Sequence, residues 1–132
     1  MRSLRVLNLY GTAISDAGVQ HLHDLTGLRV LNLNGTRITD AGLQHLKNLT
    51  NLNQLALSET HLTDAGLVHL QGLTNLNDLT LGGKQITDAG LMQLRSLRNL
   101  KHLTLVQTSV TSAGLREFSK AMPAVKLIHK PS

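Results

Sequence analysis

Leu4, Leu28, Leu52, Leu76 and Leu100 each open a copy of one 24-residue unit, and no insertion or deletion separates the copies. Each copy carries a run of the form LxxLxLxx, then a segment close to I-T-D-A-G-L, then further spaced leucines. A fixed period in this range marks a stacked array. One unit cannot bury its apolar face alone, and stacking neighbours builds a continuous core. The units run 4–27, 28–51, 52–75, 76–99 and 100–123, followed by a closing segment 124–130, within a single domain 1–132.

Within the unit, the first half alternates. Leu4, Leu7 and Leu9, and their counterparts in every later copy, are all leucine, fifteen positions in total. That pattern is the period-two signal of a short strand. Strands 24 residues apart with a helix between them run parallel. The second half changes period: Val19, Leu22 and Leu25, like Leu43, Leu46 and Leu49, are spaced by three, the buried stripe of a short helix. Ser15, Thr39, Thr63, Thr87 and Thr111 stand at its start, and four of them are followed by Asp16, Asp40, Asp64 and Asp88. Either the hydroxyl or the carboxylate can cap exposed N–H groups, and the regular placement makes these aspartates caps rather than catalysts.

Ala-Gly then recurs in every copy, from Ala17-Gly18 to Ala113-Gly114. Glycine inside a helix costs about 1 kcal/mol against alanine. Its recurrence predicts a close approach, with the first helical turn pressed against the adjacent repeat where a Cβ would collide. Gly27, Asn51, Asn75 and Asn99 close the unit and suit a left-handed turn after the helix. Strands stack at ~4.8 Å and helices at ~8–10 Å, so joining the two spacings bends the stack, strands inside and helices outside.

These residues resemble the leucine-rich repeat, closest to the cysteine-containing subtype (LxxLxLxxT-x-ITDAGL) found in F-box-associated and many bacterial repeat proteins. The match runs from residue 4 to about 128. It implies an α/β fold: a right-handed β-α superhelical solenoid of five 24-residue repeats, with a parallel concave sheet, short convex helices and a C-terminal closing strand. The subtype's Cys or Asn ladder position carries Thr12, Thr36, Thr60 and Thr108 here, and no F-box segment is present. The resemblance implies a shape that holds partners and names none of them.

Composition narrows the chemistry. The chain has no Cys, hence no disulfide, thiolate ligand or thiol nucleophile. No nucleophile elbow, phosphate loop or HExxH motif occurs, so neither enzyme activity nor a cofactor or metal is expected. No stretch approaches the ~18 apolar residues of a membrane span. The net charge of +5 is uneven: from Arg95 onward seven basic residues face Glu117 alone, while residues 1–94 hold six basic and seven acidic. Nucleic-acid binding is not expected, because no aromatics interleave with the basic residues to stack bases. A charged end cap that keeps the array soluble accounts for the same residues.

With structural positions set aside, three variable columns remain on the strands. They read Val6, Val30, Gln54, Asp78, His102; then Asn8, Asn32, Ala56, Thr80, Thr104; then Tyr10, Asn34, Ser58, Gly82, Val106. The residues expected to meet a protein or peptide partner are Val6, Asn8, Tyr10, Val30, Asn32, Asn34, Gln54, Ser58, Asp78, Thr80, His102 and Thr104. Val6, Tyr10 and Val30 make an apolar corner, with Arg5 and Arg29 at its edge. Interface anchors are most often Trp, Tyr or Arg, so Tyr10 is the strongest candidate. Lys84 interrupts the Thr ladder after Gly82-Gly83 and is expected to reach out to solvent rather than bury its charge. His21, His45 and His69 share one helical position, but neighbouring helices hold equivalent side chains ~8–10 Å apart, too far for one metal ion.

The two ends differ. Phe118, Pro123 and the apolar segment Ala124–Ile128 are expected to close the C-terminal core. At the other end one side of Leu4, Leu7, Leu9, Ile14, Val19 and Leu22 is expected to face water beside an unpaired strand edge. Leu4, Leu7, Leu9 and Ile14 are therefore a candidate association edge. Either the chain is the C-terminal piece of a longer array, or it pairs through its first repeat as a twofold homodimer. The leading functional expectation is a non-enzymatic scaffold binding a polypeptide on its concave face. The alternatives are a structural or assembly module, a targeting arm of a larger effector or enzyme, and a selected or engineered fragment.

Overall fold

A computed structural model describes residues 3–131; Met1, Arg2 and Ser132 lie outside the described residues. Its centre is one six-stranded parallel sheet in sequential order. The strands are β1 (Val6–Asn8), β2 (Val30–Asn32), β3 (Gln54–Leu57), β4 (Asp78–Gly82), β5 (His102–Val106) and β6 (Lys126–Lys130). The 24-residue period sets the register directly: Leu7 pairs Leu31, Leu31 pairs Leu55, Leu55 pairs Leu79 and Leu79 pairs Leu103. The closing strand β6 continues it, with His102 opposite Lys126 and Val106 opposite Lys130. The alternating leucines of β2–β5 turn inward and are buried, together with Leu28, Leu52, Leu76 and Leu100.

The convex side is built from short helical segments: α1 (Asp16–Val19), α2 (Asp40–Leu43), α3 (Asp88–Met92) and α4 (Ser112–Ala121). α1, α2 and α3 pass directly into 3-10 turns, and the third repeat is 3-10 throughout, Asp64–Leu70. A spacing of three is the 3-10 period. It keeps Leu43, Leu46 and Leu49, or Leu67, Leu70 and Leu73, on the face that packs under the sheet, all of them buried. Among the described residues no helix is long and apolar enough to cross a membrane.

The question of the cap has a divided answer. Ser15, Thr39, Thr63, Thr87 and Thr111 occupy the N-cap positions with extended backbone. The aspartate that follows turns away from its own helix and reaches the next repeat. The backbone N–H groups of Thr39, Thr63, Thr87 and Thr111 donate to Oδ1 of Asp16, Asp40, Asp64 and Asp88, each at 2.8 Å. The four threonine hydroxyls donate to the matching Oδ2 atoms. Thr39 and Thr63 also accept from the N–H of Ala41 and Ala65 at 3.3 Å, so one hydroxyl caps its helix and anchors the preceding repeat. The recurrent glycine is explained by the same carboxylate. A Cβ on Gly42, Gly66, Gly90 or Gly114 would fall on the aspartate of the preceding repeat.

Other positions depart from expectation. Gly27, Asn51, Asn75 and Asn99 do not adopt positive φ. That conformation falls instead at the exit of the strands, in the column Gly11, Gly35, Glu59, Gly83 and Gln107. The asparagines bridge repeats: the side-chain amides of Asn51, Asn75 and Asn99 donate to the carbonyls of Thr26, Thr50 and Thr74. In the threonine ladder, Thr12, Thr36 and Thr60 donate to the carbonyl three residues back, while Thr108 Oγ1 is buried without a partner. At the N-terminal end Val19 and Leu22 are buried rather than facing water, covered by their own repeat and the next. Leu4, Leu7, Leu9 and Ile14 are half-buried against the core, and β1 is the outer strand of the sheet.

Candidate binding face

Alternation within each strand sends the residues between the leucines to the concave side, and parallel register aligns them into straight columns. Val6 faces Val30, Gln54, Asp78 and His102 in turn; Asn8 faces Asn32, Ala56, Thr80 and Thr104. The sixth strand extends both, adding Lys126 and Ile128, and extends the third column from Val106 to Lys130. These three residues were missed as members of the face. The available signal was the period itself, because Lys126 lies 24 residues after His102.

The face is uneven along its length. At its β1 end Val6 and Tyr10 are each 59% exposed; the only other exposed large apolar side chain among the described residues is Val68, on the convex side. Val30 beside them is half-buried, and the Arg5 guanidinium at the margin donates to the Gly27 carbonyl at 3.2 Å. In the middle the small side chain of Ala56 leaves a shallow depression lined by Val30, Asn32, Gln54, Asp78 and Thr80. At the β6 end His102, Lys126 and Lys130 are exposed, with Lys101 exposed at their edge.

Several face residues hold the backbone as well as facing solvent. Asn8 Oδ1 accepts from the N–H of Tyr10 and Asn32 Oδ1 from the N–H of Asn34, each at 3.0 Å. Asn34 Oδ1 accepts across the repeat from the N–H of Ser58 at 2.7 Å. These bonds fix the strand exits and leave the side-chain amide N–H groups to donate elsewhere. Ser58 differs from expectation: it is buried, at 7% exposure, and offers a partner little surface. Gly82 follows in its column, where a Cβ would stand 3.0 Å from both Ser58 Cα and the Val106 carbonyl, so the third column is closed in its middle. Gln54 and His102 are exposed; Asp78, Thr80 and Thr104 are half-buried.

Lys84 is exposed on the loop after β4, and its carbonyl accepts from Ser109 Oγ at 2.5 Å. The convex histidines do not converge: His21 is exposed, His45 and His69 are half-buried, and no three metal-ligating side chains come together among the described residues. Among the described residues the face presents a ribbon of side chains with one shallow depression.

Two models described as leucine rich repeat match the chain, one over residues 26–86 and one over residues 1–22. No curated protein matches it. Among solved structures, internalin C2 from Listeria monocytogenes superposes with a TM-score of 0.75 at 26% identity, covering 98% of this chain and 62% of that one. Another Listeria monocytogenes internalin, InlF, gives 0.70 at 22% identity, covering 98% of this chain and 43% of the other. A leucine-rich repeat protein from Leptospira interrogans gives 0.63 at 20% identity, covering 96% and 37%. This chain therefore spans less than two thirds of the length of each of these three neighbours.

Proposed function

We propose, from the premise that this chain is a leucine-rich repeat protein, that it is a non-enzymatic scaffold that binds a polypeptide on its concave face. The observation that carries this is the exposure of two apolar side chains at one end of that face, Val6 on β1 and Tyr10 two residues beyond it. Exposed apolar groups rimmed by polar ones mark interaction sites, and Tyr is a favoured anchor. A ribbon six strands wide, with one shallow depression, suits an extended chain better than a small molecule. We also read the repeats as the cysteine-containing subtype. In support, Thr12, Thr36 and Thr60 use the ladder position to hold the strand-exit carbonyl.

Selection of a displayed random-peptide library on the protein tests the reading. The expected result is that selected peptides weaken about tenfold or more against Tyr10→Ser, a typical cost for an anchor. They should keep their affinity for the convex variant Val68→Ser. Peptides that depend on Val68 and ignore Tyr10 would refute a concave site.

A second reading, assembly through repeat 1, is favoured by a separate observation: among the described residues β1 is unpaired along one edge, and Leu4, Leu7, Leu9 and Ile14 are only half-buried there. An open strand edge beside apolar side chains is a template for another strand.

A further inference from the structure

We propose that the concave face reads a bipolar peptide: an apolar anchor over β1–β2 followed by a short acidic segment over β5–β6. The inference rests on the concave-face reading above and adds the chemistry and length of its partner. Three observations carry it.

The first is the polarity of the face. Its exposed apolar side chains, Val6 and Tyr10, lie on the first repeat, while Lys126 and Lys130 lie on the last strand with His102 beside them. The second is charge balance. From Arg95 onward Glu117 is the only carboxylate side chain, and Glu117 belongs to the convex helix α4. The only ion pair among the described residues joins His23 and Asp24, far along the chain from β6. Among the described residues no carboxylate is paired to the cations of β6, and an acidic segment complements them. The third is Asp78. It stands in the same column two strands before Lys126 and repels acidic groups from the middle of the face. The complementary peptide is thus neutral over β3–β4 and acidic only beyond them.

Geometry sets the length. Six strands are separated by five gaps of ~4.8 Å, so β1 and β6 lie about 24 Å apart along the stack. An extended peptide advances ~3.3 Å per residue, so about seven residues separate anchor and acids. Nucleic acid is the competing polyanion. It finds no Tyr, Phe or Trp to stack on near Lys126, because Tyr10 stands at the opposite end of the sheet and Phe118 is buried; His102 is the one exposed ring beside it.

Fluorescence anisotropy with synthetic probes decides the matter. One probe carries two leucines, a neutral Gly-Ser spacer and four glutamates, made in both chain directions; a second interleaves the same residues; a third is oligo-deoxythymidine. The expected result is that one direction of the first probe binds most tightly and weakens with rising salt. Lys126→Glu with Lys130→Glu should cost it about tenfold, as attraction turns to repulsion. Tyr10→Ser should cost a similar factor. Equal binding of the interleaved probe, insensitivity to the lysine reversals, or tighter binding of the oligonucleotide would each overturn the proposal. If library-selected peptides depend on Tyr10 but ignore both lysines, the bipolar reading falls and the concave site stands. If they ignore Tyr10 as well, both fall.

Discussion

An aspartate in one repeat and a glycine in the next form a single device, visible most clearly at Asp64 and Gly90. The Asp64 carboxylate accepts both the N–H and the hydroxyl of Thr87, and Gly90 has no Cβ because that carboxylate occupies the space. Charge-assisted bonds of this kind contribute about 1.5–3 kcal/mol each, and a buried N–H left without a partner costs ~1–3 kcal/mol. Asp64→Ala is therefore expected to destabilise by about 2 kcal/mol or more, and Gly90→Ala by ~1–3 kcal/mol through overpacking. The double variant should cost less than the two single costs added together, with a coupling of about 1 kcal/mol or more, because removing the carboxylate vacates the space the methyl needs. Urea denaturation of the four proteins measures this; additive costs would contradict the shared device. The glycine half was legible in the sequence, since five recurrences of an unfavourable residue demand a close neighbour. The aspartate half was not, because its partner lies 23 residues away and a local cap explains the same spacing. The strand-exit column was hidden for a related reason: Glu59 and Gln107 hold positive φ among glycines, and a side chain in that conformation leaves no mark in the sequence.

Among the elements, α4 stands apart. The earlier convex segments are seven to nine residues of mixed α and 3-10 structure or 3-10 alone, while α4 is an unbroken α-helix of ten residues, Ser112–Ala121. Its N-cap hydroxyl, on Thr111, accepts from the N–H of Gly114 at 3.1 Å, and Phe118 fills the slot that leucine holds in earlier repeats. Phe118 is fully buried and is the largest side chain in the core. Truncation should leave a cavity in the close-packed end of the core, so Phe118→Ala is expected to cost ~3–5 kcal/mol. Calorimetry would detect it as a lowered melting temperature, and a shift under one or two degrees would mean that the end relaxes around the loss. Strands and convex segments were readable because each strand leucine recurs in all five copies and each convex leucine in four. The α-to-3-10 transition was not, since a spacing of three serves both helix types over two turns. The closing strand was legible as a strand from its apolar run. Its share of the face, Lys126, Ile128 and Lys130, emerges only when the 24-residue period is carried past Pro123.

At the scale of the molecule, stability in such a stack is close to a sum over repeats and their shared faces. Among the described residues repeat 1 packs against repeat 2 alone, and Leu4, Leu7, Leu9 and Ile14 are half-buried. Its amides are expected to exchange hydrogen faster than those of β3 and β4. If repeat 1 is an association edge, sedimentation at rising concentration should show a heavier species in which β1 becomes protected, and Leu9→Asp with Ile14→Asp should return the protein to monomer. A monomer at every concentration, with β1 already slow to exchange, would rule association out.

The aspartate joint carries one last implication. Its chemistry is the same at every boundary from the first repeat to the fifth, so a joint does not register which two repeats it connects. Excising residues 52–75 would bring Asp40 to Thr87 in the relation Asp40 now has to Thr63. As far as this joint is concerned, whole units can be gained or lost by recombination, while contacts particular to one boundary, such as Gly82 against Ser58, have to be refitted. The fifth repeat is the exception, because Ser112 stands where the others place the carboxylate. The fifth repeat therefore offers no carboxylate for a joint of this kind.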